Sequence, residues 1–381
     1  MILREMRMSG KRQCDHCLHK CFTEKIPDCR DPKKRPKTIN ILFNEIKEKL
    51  SSGKNKNISL FIFVEGNLDE KFWNKIKQSD SIGVIKITNP SCEDNFTRTG
   101  QPPTSPKKFI KSNKSAIECL FCRDHTHLLA DQYSFEIDLF LTENAIGMVD
   151  WDFQHPEPSS DSNYDPDKNI RYDPGQFFPL FRTETRDFEI LLCKCGGLKQ
   201  FFTNHTAPGL IGTGNAQEEL LDQATIPGFA RYLNADKKYF IKFDRLKREF
   251  GINPFCDFIC DKKILTCSDI ADLLRKNANN LHGRPSLFFA FFRAQCPRRM
   301  QLVDNYPWSI CQGHDTMQIL ECMIRCGRIK YKKYPPVRSD RDISEKILEE
   351  VVEKNSHLES ETIKQMREWI KNRHPEREMT H

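Results

Sequence analysis

Two uninterrupted apolar runs, Ser59–Val64 and Ala145–Val149, each end in carboxylates, and they limit what this chain can fold into more than any other feature. The first reads Ser-Leu-Phe-Ile-Phe-Val and continues Glu65-Gly66-Asn-Leu-Asp69. The second reads Ala-Ile-Gly-Met-Val and continues Asp150-Trp-Asp152-Phe. A run this short and this apolar, leaving through a turn into a helical pattern, predicts a strand buried on both faces of a parallel sheet. Ligands of such sheets bind just beyond the strand C-termini, so these acids fall where an active site would form.

The spacing within each group suits shared work. Gly66 permits a sharp turn out of the strand, and Asp69 falls in the first turn of a helix expected over Leu68–Lys77, where the helix dipole favours negative charge. Asp150 and Asp152 are two apart, so in extended backbone they leave the same face. Four carboxylates held together repel one another unless a cation sits among them, and hard oxygen donors suit magnesium or manganese. The plainer reading is that Glu65 and Asp69 begin a helix and Asp150 and Asp152 leave a strand.

The sequence Val64-Glu65-Gly66 followed by Asp69, with Val149-Asp150-Trp151-Asp152, resembles the Toprim domain of topoisomerases, primases and overcoming-lysogenization-defect nucleases. With Thr183-Glu-Thr-Arg186-Asp187-Phe-Glu189 and Gln312-Gly313-His314-Asp315 added, the chain is similar to the Toprim-like nuclease family that includes the effector subunit of the PARIS antiphage system. The likeness spans about Ile58 to Arg325; the cysteine-rich start and the long stretch before Asn144 depart from it. It implies a magnesium-dependent nuclease fold, some of whose members cleave RNA, including transfer RNA, under the control of an ATPase partner. On this likeness Glu65 is a metal ligand or general base, and Asp150 and Asp152 are the paired metal-holding aspartates. Asp69 and Glu189 take a second metal position or orient the attacking water, and Arg186 and His314 contact substrate. Thr183, Arg186, Asp187 and Glu189 also read as an ordinary helix start before Ile190–Leu192, and His314 as a structural hydrogen-bonding residue.

Charge and cysteine usage narrow the surroundings. Of the net charge of +7, residues 1–37 supply 11 Lys and Arg against 5 Asp and Glu, leaving the body nearly neutral. That segment reads as a basic arm for a phosphate backbone or as a solvated tail. Within it Cys14, Cys17, Cys21 and Cys29 have a thiolate-zinc spacing, and Cys119, Cys122, His125 and His127 form a second candidate zinc set. Sixteen cysteines without the apolar core of a signal peptide at Met1–Gly10 predict reduced thiols or metal ligands in a cytoplasmic setting rather than a disulfide framework. Cys193, Cys195, Cys256, Cys260, Cys267, Cys322 and Cys326 lie among apolar residues and read as small core residues. No apolar run is long enough to span a membrane, and no Walker-type Gly-x4-Gly-Lys-Ser/Thr loop occurs.

The expected fold is α/β, a Toprim-like parallel sheet flanked by helices, with a helical C-terminal portion. Strands are predicted over Ile58–Val64, Ile82–Ile87 and Asn144–Phe153. Helices are predicted over Ile39–Leu50, near Lys114–Arg123, over Ala216–Leu233, Lys237–Phe250, Ser268–Asn280, Leu287–Ala294 and His314–Cys326, and as a charged pair within Ile343–Asn372. Pro90–Ser112 and Gln154–Gln176 read as loops; residues 133–142 leave strand and helix open. The organisation expected is a cysteine-rich arm at 1–37, a catalytic core at 38–192, a helical portion at 193–326 and a charged helical extension at 327–381, where 13 basic residues face 11 acidic ones.

Together these readings predict a metal-dependent endonuclease acting on RNA or DNA as a phage-defence effector, with magnesium or manganese, zinc as a further metal, an ATPase sensor partner and a homodimer as expected associations. The alternative from another class is a non-catalytic Toprim-derived regulatory or nucleic-acid-binding module of an ATPase complex. A third reading makes the cysteine-rich arm itself the functional centre.

Overall fold

The computed structural model describes residues 48, 58–77, 80–87, 117, 121, 144–151, 179–207, 216–236, 256, 259–261, 265–276, 285–303, 305–332 and 339–373. The expectations at 1–37, Pro90–Ser112, 133–142, Gln154–Gln176 and Lys237–Phe250 lie outside these residues, as do most of Ile39–Leu50 and Lys114–Arg123. The chain divides into two units. One comprises Met1–Val149, Arg171–Arg182 and Ile370–Thr380; the other comprises Asp150–Ile170 and Thr183–Trp369, with His381.

The first unit is built on four parallel strands, β1 (Leu60–Val64), β2 (Ile82–Lys86), β3 (Ala145–Val149) and β4 (Leu180–Arg182), in the order β2-β1-β3-β4. Every residue of β1 and of β3 is buried, which is why both read as unbroken apolar runs instead of alternating ones. Helix α1 (Asn67–Ile76) follows β1 and packs on β1 and β2, burying Phe72, Trp73 and Ile76. Phe121 packs on Phe63, edge to face with ring centroids 5.8 Å apart.

The chain runs from β1 outward to β2 on one side, then returns past β1 to pair β3 on the other. The strand order therefore reverses between β1 and β3, which makes the carboxyl ends of these two strands the switch point of the sheet. The third strand is shorter than the stretch expected, and β4 was not expected at all: three residues are too few to show a period.

The second unit is helical. Helix α2 (Phe188–Leu192) runs through a single wide turn at Cys193–Gly197 into α3 (Leu198–His205), with Gly196 at φ 83° where the helix is interrupted. Then come α4 (Ala216–Asp236), α5 (Cys267–Lys276), α6 (Pro285–Gln295), the short α7 (Arg299–Leu302), α8 (Gly313–Arg325), α9 (Asp340–Glu353) and α10 (Glu361–Arg373), whose residues from Ile370 on count with the first unit. Helix α8 is central: it packs against α2, α4 and α9, and almost its whole length is buried. Two of its buried acidic side chains are answered within the unit. Arg231 donates to both carboxylate oxygens of Asp315, at 2.8 and 3.1 Å, and Glu321 accepts from the Asp340 backbone N–H at 3.1 Å. The terminal pair starts at serine caps: Ser339 accepts from the Asp342 N–H, and Ser360 accepts from the Ile363 N–H.

Two cysteine expectations are corrected here. Cys256 is bonded to Cys322, and Cys267 to Cys296, so three of the seven read as core thiols are disulfide-bonded instead. Their sequence separations of 66 and 29 give no hint of pairing, but the fold brings the Cα atoms to 4.9 and 6.0 Å, within the range a disulfide spans. Cys193 and Cys195 are buried free thiols, as expected of core residues. Burial pushes the Cys195 thiol up to about 12 and the Cys193 thiol well above its ordinary value, so neither is a ready thiolate. Among the described residues no helix is long and apolar enough to cross a membrane.

Candidate active site at the carboxyl edge of the sheet

The edge begins with Glu65, the first residue after β1, partly exposed where the chain turns at Gly66 into α1. The turn is tight. A Cβ on Gly66 would stand 2.6 Å from the Oδ2 atom of Asp69, so the Asp69 carboxylate lies directly over the glycine and leaves no room for a side chain there. Asp69 itself is buried, in the first turn of α1, where the dipole of the helix favours its negative charge.

Strand register puts Lys86, the last residue of β2, opposite Val64, the last residue of β1. Its ammonium donates to the Asn67 side-chain oxygen at 2.7 Å, beside the turn that carries Glu65. On the other flank Arg182, the last residue of β4, pairs in register with Val149, the last of β3. Neither cation was singled out from the sequence. The signal for Lys86 was a lysine ending an otherwise apolar strand, and for Arg182 there was none, because β4 itself was not legible.

Asp150 is the next residue after Val149 and begins the second unit. The peptide that follows it is held: the Trp151 N–H donates to the Thr183 hydroxyl at 3.1 Å, and that hydroxyl donates to the Thr185 carbonyl at 2.8 Å. Asp152, the Cys14, Cys17, Cys21 and Cys29 cluster and the Cys119, Cys122, His125 and His127 cluster lie outside the described residues. Among the described residues no group of three or more His, Cys, Asp or Glu stands together as a metal site.

The second unit brings together two motifs far apart in the chain. Asp187 is the N-cap of α2, its Oδ1 accepting from the Ile190 N–H at 3.0 Å. Its Oδ2 accepts from the Gly313 N–H at 2.6 Å, at the first turn of α8. One carboxylate thus closes the positive ends of two helices. Gly313 is needed for this approach, because a Cβ there would stand 2.3 Å from the Glu189 Cβ and 2.6 Å from Asp187 Oδ1. Beside the junction His314 Nδ1 is 3.9 Å from Glu189 Oε1, close enough for charge attraction but too long for a hydrogen bond. Both side chains keep some exposure, 34% for His314 and 15% for Glu189.

Arg186 faces inward. It is buried, its Nε donates to the Ser309 carbonyl, and its guanidinium lies over the Trp151 ring, 5.7 Å from the centroid. This is an internal cross-link between the residues before α2, Ser309 and Trp151. Asp315 likewise serves Arg231, with no exposed surface of its own. Burial, then the nearby Asp187 charge, raise the Cys311 thiol, and the same two causes lead for Cys193, so neither thiol is a ready thiolate.

Comparison with protein-family models, with curated proteins and with solved structures finds no match to this chain.

Proposed function

We propose that this protein is a Toprim-like, metal-dependent endonuclease that hydrolyses phosphodiester bonds of RNA, transfer RNA included, or of DNA, and that it serves as a phage-defence effector. The observation that carries the reading is the switch point between β1 and β3, because the first residue beyond each of these two strands is a carboxylate, Glu65 and Asp150. Open α/β sheets bind their ligands at this point. Acids there, rather than a glycine-rich phosphate loop, suit a site that handles phosphate through a divalent cation.

The donor set fits such a cation: carboxylate oxygens are the hard ligands magnesium and manganese take, with Glu65 and Asp150 as the holding residues and Asp152 as the third by motif. When bound, the metal would supply Lewis acidity toward a phosphoryl oxygen and a more acidic water. In the hydrolysis the water oxygen bonds to phosphorus as the ester P–O bond breaks. A carboxylate oxygen of Glu65 accepts the water proton, and the leaving oxygen departs with a proton from solvent. The hydrogen bond from Trp151 to Thr183 keeps the backbone after Asp150 in place, and the fold of Asp69 over Gly66 keeps the turn after Glu65 in place. An ATPase sensor partner, a second copy of the chain and zinc at the cysteine clusters belong to the same reading.

The test is cleavage of labelled transfer RNA and plasmid DNA by the purified chain with magnesium or manganese, beside Glu65→Ala and Asp150→Ala. Metal-dependent cleavage lost in both variants is the expected result. Cleavage that survives both substitutions removes these carboxylates from the chemistry.

A further inference from the structure

The end of α8 and the segment beside it in the second unit carry cysteines in two matched pairs, Cys256 with Cys260 and Cys322 with Cys326, each four residues apart. Residues at that spacing are neighbours on one face of a helix. Cys256 and Cys322 are bonded to each other and buried, with exposures of 7% and 3%. Cys326 is a thiol at the partly exposed C-cap of α8, between the exposed Arg325 and Gly327. The second disulfide lacks this arrangement. Cys267 of the Cys267–Cys296 pair is itself partly exposed, and no cysteine lies one helical turn from either partner.

The Cys326 side chain turns back along its helix. Its Sγ donates to the Cys322 carbonyl oxygen at 2.8 Å and stands 3.9 Å from that of Met323, while its backbone N–H reaches the same Cys322 carbonyl at 3.0 Å. A helical side chain covers the turn N-terminal to its own Cα, so the Cys326 sulfur lies over the residue whose sulfur is held by Cys256. The helix ends here, with Cys326 at φ −87° and ψ 10°. Its last turn can close Cα atoms about 6 Å apart into a disulfide. A separate tie, from Arg328 to the Ile259 carbonyl at 3.4 Å, holds the Cys256 segment against the end of α8 when that bond is exchanged.

We propose that Cys256, Cys322 and Cys326 form a thiol–disulfide exchange site, in which Cys326 carries the buried disulfide out to the surface to react with a low-molecular-weight thiol such as glutathione. The site is independent of the carboxylates at the sheet edge. In the first step the Cys326 thiol gives its proton to solvent and its sulfur bonds to the Cys322 sulfur. The Cys256–Cys322 bond breaks, and Cys256 leaves as a thiolate that takes a proton from solvent. One disulfide has replaced another, with no electrons exchanged with the surroundings. A glutathione thiolate then attacks the Cys326 sulfur and stays joined to it as a mixed disulfide, while Cys322 departs and is protonated. A second glutathione removes the first as glutathione disulfide, so two glutathiones are oxidised as one protein disulfide is reduced.

The experiment treats the full chain, folded and without denaturant, with reduced glutathione, stops the reaction with acid at timed intervals, alkylates the thiols and maps the peptides by mass spectrometry. In wild type the Cys256–Cys322 link is expected to disappear as a glutathione adduct appears on Cys326. Cys326→Ser slows the loss of that link about tenfold, because the attacking thiol must then reach a buried sulfur, while the loss of Cys267–Cys296 keeps its wild-type rate. Cys260→Ser leaves both rates as they are in wild type. A second variant traps the exchanged bond: Cys256→Ser treated with glutathione disulfide is expected to link Cys322 to Cys326. Equal rates of Cys256–Cys322 loss in wild type and Cys326→Ser overturn the proposal. So do separate glutathione adducts on Cys322 and Cys326 in Cys256→Ser, and so does a wild-type map in which Cys256 and Cys322 are not linked at the start.

Discussion

Asp187 supports the second unit through two hydrogen bonds that one substitution removes together. Asp187→Ala deletes the cap of α2, worth about 1 kcal/mol, and leaves the buried Gly313 N–H without its acceptor, worth about 2 kcal/mol more. The expected loss is about 3 kcal/mol. Asp187→Asn keeps one good acceptor and can still cap α2, but it turns an amide N–H₂ toward the second donor, so about half of that loss is expected. Gly313→Ala strikes the same junction from the other side, since its Cβ would fall 2.3 Å from Glu189 Cβ, and about 2 kcal/mol is expected from the forced displacement. Because both substitutions open one junction, the double variant Asp187→Ala with Gly313→Ala loses less than the two singles summed, by about 1 kcal/mol. Urea unfolding followed by circular dichroism and tryptophan fluorescence measures all four, with stability taken from the midpoint at constant slope. An Asp187→Ala protein within about 0.5 kcal/mol of wild type, or strictly additive singles, refutes the argument that this carboxylate joins the two helices.

Three further outcomes follow from the same unit. His205 Nε2 and Glu350 Oε1 lie 2.8 Å apart and buried, with Asn204 on the second carboxylate oxygen, so His205→Ala leaves a buried carboxylate short of a partner and costs about 3 kcal/mol by the same urea measurement, while a cost near zero removes the pair from the account of stability. Breaking Cys256–Cys322 with Cys322→Ser lowers stability by up to about 4 kcal/mol on the loop-entropy argument, and non-reducing peptide mapping of the wild type is expected to link the two cysteine peptides. Burial lowers the pKa of His357 below its ordinary 6.5, so the unfolded chain takes up its proton first as pH falls; the stability this neutral histidine contributes is full above 6.5 and declines below it. Melting temperature is thus expected to fall between pH 7.5 and 5.5 by less in His357→Gln than in wild type, and an equal fall in both removes His357 as a cause.

What was legible in the sequence was what local composition controls. The central strands β1 and β3 could be read because strands covered on both faces are apolar throughout, and the helix after Gly66 because its buried face recurs at helical spacing. Helix α8 was read nearly to its ends, although its buried polar residues had to find partners that only the fold supplies, such as Arg231 for Asp315. What was not legible depends on distant pairing. The three residues of β4 are a strand only because β3 lies beside them, and their short run gives way at once to the helix-start pattern of Thr183–Asp187. Asp187 reads as a cap from its neighbours, but its second acceptor faces a glycine 126 positions on. Glu65, Gly66 and Asp69 were readable as a turn with two acids, whereas Lys86 joins them through strand register, which no spacing along the chain encodes.

The way the chain is shared between the two units has a practical consequence for anyone wishing to study either by itself. The chain passes from one unit to the other after Val149, Ile170, Arg182, Trp369 and Thr380, so no single cut yields an intact half. A fragment ending at Arg182 would hold all four strands yet lack Ile370, a fully buried residue of the same unit. A fragment beginning at Thr183 would lose Trp151, whose N–H rests on the Thr183 hydroxyl and whose ring lies under Arg186. Protease nicks should accordingly leave the pieces associated, and pieces produced separately should regain their native signals only when mixed.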